Sequence, residues 1–186
     1  ERLKRLRLEQ KAVIAAEDQH FFTHAGYDLT EILASIDNNQ KDGQTKRGGS
    51  TLTQQLAKLL VTGSDRTAER KLREMLYAVE MEQTLGKARI LQLYLDSAPW
   101  GGNICGAEAA ARRYFKRSAR TLEPAQAVWL AAMLHKPQAV LEQWRRDGRI
   151  DPDRTKWVAE GVRGISRNQR ETLLKIHDVA AAWFKA

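Results

Sequence analysis

The stretch EDQHFFTHAG, Glu17 to Gly26, sets two acids ahead of two histidines and two phenylalanines and closes on a glycine. Metal binding is one chemistry open to it, because Glu17, Asp18, His20 and His24 are ligand types and histidines four apart on a helix can converge on one ion. Against that, no glutamate stands between the histidines as in a zinc-hydrolase helix, and no third soft ligand is near. The Phe21-Phe22 pair suits a helix ending into a core, so His24 is read as a core or loop-tethering residue. Acid-base chemistry at Glu17 is the second option, and the bare end of a helix is the third.

A second carboxylate sharpens the choice. Glu74 follows Arg66, Arg70, Lys71 and Arg73, and Lys58 ends the preceding helix. Cations so gathered favour an ionised carboxylate. A glycoside hydrolase needs a carboxyl kept protonated near neutral pH for its leaving group, which this setting opposes. Transfer of a sugar from a diphosphate fits better, since the departing charge needs electrostatic stabilisation and Glu17 need only act as base toward an attacking hydroxyl. Taken alone, such a group of cations is more commonly a solvated helix face with i,i+4 ion pairs.

The elements that must carry these groups are helical. No period-2 strand stands out, and the pattern predicts an all-α fold. A first helix is expected over Leu3–Asp18, then a loop around Thr23–Tyr27 in which Gly26 can take a backbone conformation closed to other residues. A second helix fits Leu29–Asn38, and KDGQTKRGGS, Lys41–Ser50, reads as a mobile loop. Ser50 or Thr51 can cap the next helix, with Leu52, Leu56, Leu59 and Leu60 as its apolar stripe and Gln54 and Lys58 on another face. A long helix from Thr67 to Gln83 should send Leu72, Leu76 and Val79 inward and stop at Gly86. KARILQLYLDS, AEAAARRYF and TLEPAQAVWLAAML are further helices, with the glycine-rich turn SAPWGGNICG between the first two. In the tail, DPDRTKWVAEGV precedes NQRETLLKIHDVAAAWF, where Asn168 and Glu171 resemble a capping box.

Bulk properties set outer bounds. The chain has 186 residues, enough for one domain with two lobes and a substantial core. Its net charge of +8 fits an anionic partner and, on charge alone, equally a generally basic, soluble surface. No groove-reading helix or base-stacking motif accompanies that charge, which ranks nucleic acid last among the partners. A single cysteine, Cys105, excludes an internal disulfide. No run of 18 or more apolar residues occurs. The start ERLKRLRLEQK interleaves leucines with Arg2, Lys4, Arg5, Arg7 and Lys11, a pattern that would suit anionic headgroups as well as a solvated first turn.

Five ordered blocks, EDQHFFTHAG, GGSTLTQQLAKL, RKLRE, ILQLYLD and GNICGAEAAARRYF, resemble the peptidoglycan glycosyltransferase family, found in monofunctional transglycosylases and in class A penicillin-binding proteins. The resemblance spans Ala12 to Pro137. It implies a lysozyme-like helical fold with a large lobe, a smaller membrane-facing lobe and a cleft between them. It further implies an inverting polymerisation of lipid II into glycan strands with release of undecaprenyl diphosphate. Glu17 matches the family's catalytic base, Asp18 its neighbour, and Glu74 the second essential carboxylate, placing a phosphate or a divalent ion. Ser50, Thr51, Gln54, Gln55 and Lys58 match the donor-facing block, and Arg66, Arg70 and Lys71 lie where the diphosphate is expected. No cofactor is obligatory, although Mg or Mn is compatible.

The implied location is the outer, periplasmic face of the bacterial cytoplasmic membrane. There an N-terminal transmembrane anchor absent from these residues would place the basic start at the lipid surface and bring other cell-wall synthesis proteins within reach. Residues 1–137 form the motif-bearing region, and 138–186 are expected as a helical extension of the same domain. Three positions depart from the family pattern. Leu59 replaces an Asn and suits the apolar stripe. Asp96 replaces another Asn, adding a charge and removing two donors. Lys116 stands where Gly is common. A muramidase on the same scaffold and a catalytically degenerate lipid II-binding domain are the alternative functions.

Overall fold

The computed structural model describes residues 2–30, 33 and 49–174. Most of the expected helix Leu29–Asn38, most of the loop Lys41–Ser50 including Arg47, and the end of the tail helix beyond Leu174 lie outside the described residues. The all-α expectation holds: among the described residues the β pairing is confined to an isolated bridge between Pro99 and Cys105. None of the described helices is long and apolar enough to cross a membrane. The chain divides into two compact units, Glu1–Gln19 with Pro99–Ala186, and His20–Ala98.

In the first unit, helix α1 spans Leu8–Glu17 and buries the run Ala12–Ala16. The single helix expected from Leu3 does not form. Leu3–Arg5 makes one 3-10 turn, Leu6 turns extended, and α1 starts afresh where the backbone N–H of Arg7 donates to Gln10 Oε1 at 3.0 Å. Leu3 and Leu6 are half-buried rather than presented outward. A Cβ on Gly164 would lie 2.9 Å from the Leu3 carbonyl carbon, so this turn packs on its own unit.

Four later helices complete the unit's principal packing. α4, Ala107–Phe115, follows the glycine turn, and α5, Pro124–Met133, is buried from Ala125 to Met133. α5 begins at Pro124 rather than at Thr121, because proline is tolerated in a first turn and the Glu123 N–H is satisfied by Gln126 Oε1. α6 spans Pro137–Asp147 and α7 spans Pro152–Gly161. α1 packs against α5 and α7, and those two pack on each other. Trp100 Nε1 donates to the Leu130 carbonyl at 2.9 Å, and the Tyr114 hydroxyl to the Trp100 carbonyl at 3.0 Å, which pins the glycine turn to the core.

The last described helix, α8, Arg167–Leu174, packs on α5 and α7. Its capping box uses Ser166 and Gln169, each donating a backbone N–H to the other's side chain, rather than Asn168 and Glu171. Lys116 closes α4 in the left-handed region at φ 57°, the conformation that glycine adopts without a Cβ penalty. Asp96 is exposed and accepts from Gln92 one turn back, so no buried amide contact is lost there.

The second unit is built on α2, Leu52–Ala57, and α3, Ala68–Ser97. As expected, the backbone breaks at Gly86, where φ is 73°, so α3 is two helical runs joined at a kink. Leu52 and Leu56 are buried, but Leu59 and Leu60 are exposed, contrary to the expected stripe. After Ala57 the helix widens into a π-type turn, Lys58–Thr62, closed by the Gly63 N–H on the Lys58 carbonyl. An i→i+5 turn re-phases every side chain beyond it.

Leu72 and Leu76 are also exposed, and Val79 is half-buried. The inward stripe of α3 runs instead through Glu74 and Ala78. Gly26, at φ 108°, brings its backbone so close to Ala78 that an added Cβ would sit 2.9 Å from main-chain atoms. A bulky inward residue on that stripe would block the approach.

Candidate functional site

In the first unit, Glu17 ends α1 and Asp18 caps it, buried, with its N–H on the Ile14 carbonyl at 2.9 Å. The Glu17 carboxylate accepts from Arg154 Nη2 at 3.0 Å, with the two side chains 10% and 11% exposed. Arg154 sits in the first turn of α7, in a segment to which the sequence reading attached no chemistry. Its neighbour His135 is half-buried. Burial, reinforced by the Arg154 and Lys136 charges, pushes that imidazole below its ordinary pKa.

The two histidines of the opening stretch take separate partners. His20 Nδ1 lies 2.8 Å from Asp28 Oδ2. His24 Nδ1 accepts the Gly26 N–H at 3.1 Å, a loop tether as expected. Beside His24, Glu82 Oε1 accepts from Thr53 Oγ1 at 2.6 Å and Lys87 Nζ at 2.7 Å, and Lys87 lies over the Phe21 ring. This polar group joins the loop, α2 and both runs of α3. Sequence reasoning missed Glu82 and Lys87 because they straddle the Gly86 break, across which helical spacing loses its meaning.

The same unit holds the cationic constellation. Glu74 is 2% exposed; Arg70 Nη1 donates to one of its oxygens and Lys71 Nζ to the other. The i,i+4 and i,i+3 spacings place all three on adjoining positions of α3. Arg70 also donates through Nε to the Asp65 carbonyl, which orients its guanidinium. Lys71 Nζ reaches Ser50 Oγ at 2.8 Å, and its side chain remains about half exposed. Arg73 pairs instead with Glu69 on the surface, while Lys58 and Arg66 are exposed. Each Glu74 oxygen thus accepts from a cation, and among the described residues no group of three or more acids, histidines or cysteines could hold an ion.

The remaining predicted residues divide between scaffold and surface. Thr51 is buried and is the N-cap of α2: its hydroxyl accepts the Gln54 N–H at 3.1 Å and donates to the Gly26 carbonyl at 2.7 Å. Gln54, also buried, returns Oε1 to the Thr51 N–H at 3.0 Å, completing the capping box. Gln55 Oε1 accepts from the Tyr94 hydroxyl at 2.9 Å. This block therefore fastens the Gly26 loop and the start of α2, next to the Ser50 that Lys71 touches.

A family model described as Transglycosylase matches residues 7–163, well beyond Pro137 where the motif blocks stop. Relatives called biosynthetic peptidoglycan transglycosylases include one from Thiobacillus denitrificans, 46% identical over 129 residues, covering 69% of this chain and 56% of that protein. Another, from Alcanivorax borkumensis, is 48% identical over 128 residues, covering 69% and 52%. The chain thus spans about half the length of the curated relatives it matches.

Proposed function

The chain belongs to the transglycosylase family, and on that premise we propose that it is a peptidoglycan glycosyltransferase that polymerises lipid II into glycan strands. Glu17 takes the proton from the 4-hydroxyl of the acceptor as that oxygen attacks the donor's anomeric carbon. The bond from that carbon to the diphosphate breaks on the opposite face, the electron pair leaves with undecaprenyl diphosphate, and the anomeric configuration inverts.

The observation that carries this reading is buried Glu74 clasping Arg70 and Lys71. A carboxylate so placed fixes two cations in orientation, and Lys71 stays half exposed beside Ser50. Pre-oriented positive charge lowers the barrier to an outgoing diphosphate without reorganising at the moment of reaction. Protonation of the leaving group, which a muramidase needs, finds no suitable acid in this constellation.

The exposed apolar residues Leu59, Leu60, Val61, Leu72, Leu76 and Tyr77 of the second unit, near the exposed Arg66 and Lys71 in sequence, support work at a lipid surface. A donor carried on a polyprenyl chain would be met there, at the outer face of the bacterial cytoplasmic membrane.

The test is to add the purified chain to fluorescent lipid II in detergent and resolve the products by gel. A ladder of glycan strands is expected, and Glu17→Gln should suppress it by on the order of 10²–10⁴-fold with an unchanged circular dichroism spectrum. A ladder from the folded variant would remove Glu17 from its role. Soluble fragments released from purified cell walls without lipid II would point to a muramidase. Tight lipid II binding without turnover by the unaltered chain would point to a binding domain.

A further inference from the structure

We infer that Arg154 is a positioning residue for Glu17, an assignment that rests on the reading of Glu17 as the base. Glu17 closes α1, where the last carbonyls have no intrahelical N–H to accept and partial negative charge accumulates. A carboxylate added at that end is repelled by the helix, and its several rotatable bonds let it swing. One nitrogen answers both problems: Arg154 Nη2 donates to the Ala16 carbonyl at 2.9 Å and to Glu17 Oε1 at 3.0 Å.

Arg154 is itself held on a rigid element. Its guanidinium lies over the Trp157 ring, 4.7 Å from the centroid and one turn along the same helix. The Asp151 side chain caps α7 by accepting the Asp153 N–H at 2.9 Å, fixing the turn that carries Arg154. The far end of α7 also meets the end of α1: a Cβ on Gly161 would fall 3.4 Å from Ala15 Cβ and 2.7 Å from Gln19 Nε2, and Gln19 in turn donates to the Ala15 carbonyl. Helix α7 therefore touches the close of α1 at both its first and its last turn.

A base anchored in this way has its oxygens set before an acceptor hydroxyl arrives, which is where a small misplacement costs the most rate. Arginine suits the task better than lysine, because the two hydrogens on Nη2 are fixed in the guanidinium plane and point at the carbonyl and the carboxylate together, whereas an ammonium turns freely on a flexible stem. A tie that served stability alone would leave turnover intact wherever the chain still folds.

The experiment measures kcat and KM on fluorescent lipid II for the unaltered chain, Arg154→Lys and Arg154→Met, with thermal melts to establish that each is folded at the assay temperature. Arg154→Met should lower kcat on the order of 10²-fold with KM unchanged. Arg154→Lys should recover part of that loss, since an ammonium can pair with Glu17 but lacks the fixed planar geometry of Nη2. Folded variants that both keep the original kcat, or a loss confined to KM, would overturn the assignment while leaving Glu17 as the base. Strand elongation by Glu17→Gln would instead overturn the functional reading and this inference with it.

Discussion

Glu17 and Glu74 both sit against arginine, but they come by their partners differently. The cations of Glu74 stand three and four residues before it on the same helix, so helical spacing alone brings the three together. Glu17 meets Arg154 across 137 residues of chain, through the packing of α7 on α1. Glu74 is buried with a cation on each oxygen, whereas Glu17 retains more exposure, 10% against 2%, and accepts from Arg154 through Oε1. The first arrangement suits a fixed charge that organises its neighbours. The second suits a group that must exchange a proton.

Stability measurements separate the two most widely. Glu74→Ala removes the acceptor of two cations and strands Arg70, only 12% exposed, in a buried setting. Breaking a buried pair costs about 3–5 kcal/mol. Because Lys71 is half solvated and its share is screened, a loss of about 3 kcal/mol is expected in denaturant unfolding. Glu17→Gln keeps an oxygen for Arg154 and should lose about 1 kcal/mol or less. Equal losses at the two positions would erase the distinction.

A smaller effect tests what supports the Glu74 unit. Thr51→Val removes both the cap of α2 and the tie to the Gly26 carbonyl, with an expected cost of about 1–2 kcal/mol. Ser50, one residue away and bonded to Lys71, should then be less well placed, so KM for lipid II should rise in the same variant.

The smallest effect belongs to the Glu17 unit and depends on pH. His135 is pushed below its ordinary pKa by burial first and by the Arg154 charge second. The unfolded chain therefore binds that proton more readily than the folded one. Its contribution to stability is complete above the unperturbed histidine value of about 6.5 and is lost as pH falls from there through the lowered folded value. His135→Gln should shrink the drop in denaturation midpoint between neutral and mildly acidic buffer. An unchanged drop would show that the histidine is not coupled to folding.

The ladder of local signals carried much of the fold. Gly26 and Gly86 were legible as a special backbone position and a helix end, and both adopt positive φ. The helix over Ala107–Phe115 was bounded correctly by its glycine turn and aromatic end. The grouping of Arg70, Lys71 and Glu74 could be read from spacing, because residues within one helical turn need no tertiary information to become neighbours.

What spacing could not yield was which way each helix would face and what would cross the chain to meet it. Leu59, Leu60, Leu72 and Leu76 read as inward by type, yet a π-type turn and the close seat of Gly26 on Ala78 turned them out. Thr51 is legible as a cap of α2, but that its hydroxyl also donates to the Gly26 carbonyl, 25 residues away in the chain, depends on the tertiary fold. The sequence by itself determined the all-α class, the break positions and the charge cluster of α3, since these arise from neighbours within a few residues. Only tertiary structure decided the helix faces and the Arg154 partner of Glu17, since both depend on contacts between segments whose separation along the chain carries no local signal.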